Sequence, residues 1–126
     1  MTQGIFQIDQ EGPTLVVTPT SDLRELEFDR IEAGAAEVLQ SLEEGRATNV
    51  IVDLKNSNFC GSTALGFFVK LWKRVKTSGG QMVFCGVSVT EQAILKVTHL
   101  DTLWPQRPDL KEAFALIQSV ESKGDG

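Results

Sequence analysis

Ser62 is the residue whose type and setting could most directly do chemistry. It stands in Gly61-Ser62-Thr63-Ala64-Leu65-Gly66, after a strand-like run and before a helix-like one. A serine hydrolase would place its nucleophile in a Gly-x-Ser-x-Gly elbow with a histidine as base. The segment lacks that pattern, and His99 is the chain's single histidine. Neither cysteine is near His99 in sequence, so no zinc-ligand spacing exists, and neither a metal nor a cofactor is expected. Glycine-rich phosphate loops and the dinucleotide fingerprint are missing, and Gly79-Gly80 follows a helical stretch, where it reads as a stop. A thiol at Cys60 would gain reactivity from the helix start beside it, with Cys85 expected at the same edge of the sheet. The apolar setting of both reads instead as two small core residues. What remains is the hydroxyl of Ser62, expected at the N-cap, where it would accept from free backbone N–H groups. The positive end of a helix also tolerates phosphate. A phosphoryl group, about −1.5 to −2 in charge, would repel an acidic or apolar partner surface. The chemistry expected is therefore a protein contact that charge can turn off, without catalysis.

Strands and helices must hold that hydroxyl in place. Ile5, Ile8, Leu15, Val16 and Val17 lie on two short segments around Gly12-Pro13, the pattern of an antiparallel hairpin closed before Thr20-Ser21-Asp22. Over residues 27–44, Phe28, Ile31, Ala35, Val38, Leu39 and Leu42 recur at helical steps, and Gly45 is the expected stop. Residues 49–54, NVIVDL, read as a strand buried on both faces. Residues 62–77 carry Leu65, Phe68, Val69, Trp72 and Val75 on one helical stripe, with Lys70, Lys73 and Arg74 off it. A second buried strand is expected over 81–85, a short helix over 90–97, and a final strand at Leu103-Trp104. Asp109, after Pro108, begins a last helix on the stripe Leu110, Phe114, Ile117 and Val120. The spacing predicts an α/β fold, one mixed β-sheet of four to five strands with amphipathic helices, its core at about residues 5–120 and a flexible polar tail at 121–126.

Bulk properties narrow the partners. A net charge of −5 in 126 residues argues against nucleic acid, which requires a basic face. Hydrophobic residues at 41% and charged residues at 23% suit one globular domain. The opening MTQGIFQIDQEG has neither the basic start nor the apolar run of a secretion signal, and no stretch is long enough to cross a membrane. A cytoplasmic, reduced protein without membrane insertion is expected.

The stretch from Asn49 to Gln106 resembles the STAS domain, the fold of bacterial anti-sigma factor antagonists. It has a strand ending in Asp53-Leu54, a loop, the helix opening at Gly61-Ser62-Thr63-Ala64-Leu65-Gly66, then Gly79-Gly80, a strand, and a helix leading to Leu100-Asp101-Thr102-Leu103-Trp104-Pro105. Gly61 stands where the family pattern has Asp, and Ala64 where it has Gly. The resemblance implies a non-catalytic regulatory module whose protein partner is an anti-sigma factor or serine kinase. It implies phosphorylation at Ser62, with Thr63 the neighbouring hydroxyl, and a contact surface over Asn58, Cys60, Gly61, Ser62, Thr63, Leu65 and Gly66. The alternative is a constitutive scaffold or transporter-associated STAS subunit that is never phosphorylated, which Gly61 favours slightly.

Overall fold

A computed structural model describes residues 5–20, 22 and 28–124 of the chain. The hairpin forms as its residues require: β1 (Phe6–Glu11) and β2 (Thr14–Pro19) pair antiparallel, with Ile8 opposite Val17. Gly12 takes φ +60° at the turn, a left-handed backbone that a side chain would oppose. Helix α1 (Phe28–Glu43) follows. The expected start at Glu27 lies outside the described residues. Next come β3 (Asn49–Asp53), α2 (Ser62–Thr77), β4 (Met82–Cys85), α3 (Val89–Val97), a 3-10 turn (Leu100–Thr102), β5 (Gln106–Arg107) and α4 (Leu110–Gly124).

The five strands form one sheet in the order β1-β2-β3-β4-β5, and all pairs beyond the hairpin are parallel. Alternation along the strands sorts the core into two layers. Leu15, Val17, Val50, Val52, Met82 and Phe84 face α1, α2 and Leu95 of α3. Val16, Ile51, Val83 and Cys85 face Ala113 and Ile117 of α4. Every residue of β2, β3 and β4 is buried, as parallel strands covered on both faces must be. Buried Asn49 ties the start of β3 to both neighbours: its Nδ2 donates to Thr14 Oγ1 (3.4 Å) and its Oδ1 accepts from the Gln81 backbone N–H (3.0 Å).

Three sequence expectations shift. The last strand is not Leu103-Trp104 but Gln106–Arg107, paired with Phe84 and Cys85. Trp104 is fully buried in a bend, stacked on Phe84 at 4.9 Å and edge-on to Phe68 at 6.3 Å. Its apolar signal marks an aromatic plug, and the chain resumes a ladder only after Pro105. Helix α3 begins at Val89, one residue before Thr90, because Ser88 caps it. Helix α4 continues through Gly124, past the Val120 where the apolar stripe ends. Its first turn is capped as expected, Asp109 Oδ1 accepting from the Glu112 N–H at 2.9 Å.

Candidate functional site

The chain reaches Ser62 through a loop fixed at several points. Strand β3 ends at buried Asp53, whose Oδ1 accepts from the Lys55 N–H at 3.1 Å. The Leu54 N–H donates to Cys85 O (2.9 Å), and the Ser57 N–H turns back to Leu54 O (3.0 Å). The Asn58 N–H donates to Asp22 Oδ1 at 2.7 Å, and Asn58 O accepts from Ser88 Oγ at 3.1 Å. Ser57 Oγ lies 2.9 Å from Glu91 Oε2 and 3.2 Å from Phe59 O. Its single proton goes to the carboxylate, the nearer and stronger acceptor.

Ser62 is not the N-cap. Gly61 occupies that position with extended backbone (φ −82°, ψ 178°) and no capping side chain, so Ser62 is the first helical residue. Ser62 is exposed at the tip of the helix. Helix α2 has no acidic residue in its first turn and Arg74 and Lys76 in its last, so its dipole is opposed by no charge of its own at the Ser62 end.

The residues expected to form the contact surface divide by exposure. Asn58, Ser62 and Gly66 are exposed, while Thr63 and Leu65 are half-buried. Gly61 and Cys60 are buried, and the Cys60 thiol points inward, donating to Glu91 Oε2 at 3.3 Å. Cys60 therefore supports the surface and does not present itself on it. Phe59 beside it is 41% exposed, as sequence pattern alone did not indicate. One turn behind Ser62, Thr63, Gly66 and Phe67 line a groove of about 480 Å³ against Ile31 and Ala35 of α1.

Neither cysteine is a nucleophile in waiting. Burial pushes the Cys60 thiol far above its ordinary range, and the negative charge of Glu91 and the hydrogen bond to it push the same way. Burial and then the Asp53 charge push Cys85 up to about 12. Both are protonated at neutral pH, which weakens thiolate chemistry. They lie on opposite faces of the sheet: Cys60 packs in the α1–α2 layer and Cys85 in the α4 layer. His99 is exposed, and among the described residues no group of three His, Cys, Asp or Glu side chains is placed to hold a metal ion.

Sequence reasoning missed the centre of the loop's support. Glu91, an acid in the first turn of α3, is 2% exposed and closes a reciprocal capping box with Ser88. The Glu91 N–H donates to Ser88 Oγ (3.1 Å) and the Ser88 N–H to Glu91 Oε1 (3.1 Å). The spacing Ser88-x-x-Glu91 is the signal that could have found it.

The sequence pattern that defines the STAS domain matches residues 6–113, nearly the whole described chain. The chain belongs to the STAS-domain family. Solved structures agree on its fold. A STAS domain anti-sigma factor antagonist protein from Planctomyces limnophilus superimposes with a TM-score of 0.74 at 24% identity, over 90% of this chain and 97% of that one. An anti-sigma factor antagonist from Mycobacterium paratuberculosis gives 0.77 at 16% identity, over 90% and 92%. The Bacillus protein SpoIIAA in its phosphorylated form gives 0.72 at 17% identity, over 89% and 98%. At these identities the shared property is the fold, which among the described residues is a mixed five-stranded sheet with four α-helices. Among the described residues, no helix is long and apolar enough to cross a membrane.

Proposed function

We propose that this STAS domain is a non-catalytic cytoplasmic switch that binds an anti-sigma factor or serine kinase partner through the tip of α2, with phosphorylation at Ser62 as the control. One observation carries the reading: Ser62 is exposed at the first position of α2, at the end of a loop anchored to both β4 and α3. A phosphoryl group there meets the positive end of the helix, so the fold survives while the contact surface changes sign. Exposed Asn58, Phe59 and Gly66 surround that tip, and small or apolar neighbours let a partner surface approach closely. SpoIIAA, a structural neighbour, exists in a phosphorylated form, which supports the same control here. Thr63 is the poorer acceptor, being half-buried.

A second reading has its own observation. Gly61, not an acid, is the residue before the serine, and a chain without that acid suits a constitutive scaffold or transporter-associated subunit. The two separate by affinity capture from source cells with Ser62→Ala and Ser62→Asp baits. Under the switch reading the alanine bait retains its partner, the aspartate bait loses it, and intact-mass analysis finds one phosphate on the wild-type chain that Ser62→Ala lacks. A partner retained equally by both baits refutes control at Ser62 and leaves the scaffold.

A further inference from the structure

Helix α3 is an unusual anchor for a loop. It has nine residues, too few to be stable alone, so packing must hold it. It buries only two side chains, Leu95 and Glu91. One of its two fully buried side chains is therefore a carboxylate, a group that stays in an interior only when its acceptors are satisfied. Glu91 Oε1 serves α3 itself through the Ser88 N–H, whereas Oε2 accepts from Ser57 Oγ and Cys60 Sγ in the loop before α2. A bond in the return direction runs from Ser88 Oγ to Asn58 O. Beside Glu91, Leu65 of α2 and Ile94 and Leu95 of α3 line a pocket of about 10 Å³, barely the room of one water, so the carboxylate bonds are made in a dry seam.

We propose that Glu91 is a positioning residue for Ser62: its carboxylate latches residues 57–60 to α3, so that loop and helix open and close as one unit apart from the rest of the sheet. The importance of Ser62 rests on the function proposed above, but the latch and its test do not. Segments with few buried apolar contacts open locally at lower free energy than the whole fold. A partner that touches the outer face of α3, where Val89 and Val97 are exposed, would thus bias the presentation of Ser62.

The two cysteines report the opening. Cys60 lies under the latch, and Cys85 lies on the other face of the sheet under α4. The full chain is labelled with N-ethylmaleimide in native buffer across low urea concentrations, under conditions where reclosing outpaces labelling, and peptide mass spectrometry reads each site. Cys60 is expected to label at least roughly tenfold faster than Cys85, with a shallower urea dependence, as a sub-global opening requires. Glu91→Gln should speed Cys60 labelling by roughly tenfold, the worth of a charge-assisted hydrogen bond, and Ser57→Ala should do so by less. Ile117→Val, which weakens only the α4 layer, should speed Cys85 several-fold and leave Cys60 unchanged. One common rate and urea slope for both thiols, or equal acceleration of both by Ile117→Val, would overturn the proposal. So would a Cys60 rate indifferent to both Glu91→Gln and Ser57→Ala. A chain never phosphorylated on Ser62 would give the same labelling pattern, so failure of the latch and failure of the switch are distinct results.

Discussion

A negative charge at position 62 should stabilise this domain even as it blocks a partner, and that combination can be measured. Ser62 is the first residue of α2, whose first turn holds no acid. A carboxylate at an exposed helix N-terminus gains about 0.3–1 kcal/mol from the unpaired N–H groups. Comparing Ser62→Asp with Ser62→Asn isolates the charge, since the two side chains match in shape and in capping ability. For a chain of 126 residues, a difference of that size corresponds to about 1–5 °C in the unfolding midpoint. Thermal unfolding followed by circular dichroism at low and high ionic strength gives the measurement, with Ser62→Asp melting above Ser62→Asn at low salt and the gap closing at high salt. Should Ser62→Asp melt below Ser62→Asn, the tip would not be electropositive, and the account of how phosphate is tolerated would fail. Nearby Asp22 is the residue to suspect in that event, because its carboxylate already accepts the Asn58 N–H in the same loop.

Two further outcomes follow from the core. Gly80→Ala should lower stability by about 2 kcal/mol or more in urea denaturation, because a methyl group there would sit 1.6 Å from the backbone oxygen of Thr48; a cost under about 0.5 kcal/mol would mean that the α2–β4 turn yields freely. Stability should also fall as pH rises past 9, the ordinary thiol value, toward 12, the value for Cys85. In that window the unfolded chain releases thiol protons that the native chain keeps, so alkali favours unfolding. The Cys60→Ala, Cys85→Ala double variant should show a smaller loss over the same range, and an equal loss in both proteins would show that the thiols do not drive it.

Residues with strong periodicity were legible in the sequence. The helical spacing of Leu65, Phe68, Val69, Trp72 and Val75 placed α2 at its observed bounds, but the buried face runs through Ala64, Phe67, Phe68, Leu71 and Val75, with Leu65, Val69 and Trp72 half-buried beside it. The β-branched run at 49–54 placed β3 within one residue. Each burial pattern there has one physical cause, an apolar face meeting a sheet. Trp104 was misassigned because an apolar residue near a chain reversal looks the same in sequence whether it lines a ladder or fills a hole between Phe68 and Phe84. The N-cap of α2 was misplaced by one because serine is the stronger capping residue by type, yet Gly61 holds the capping backbone. Glu91 escaped since a charged residue in a first turn is usually solvated. Its burial depends on Ser57 and Cys60, thirty residues and more away along the chain, and no local window contains that information.

The two borders of the sheet restrict how the molecule can be gripped. At one side, β5 has two residues, with Pro105 and Pro108 flanking them, so that rim offers few amide donors to an incoming segment. At the other, β1 bears exposed Asp9, Gln10 and Glu11, charged and polar groups that discourage a seventh-hour neighbour from zipping alongside. Backbone-to-backbone augmentation is thus poorly served on both flanks. Whatever docks must read side chains and helix ends.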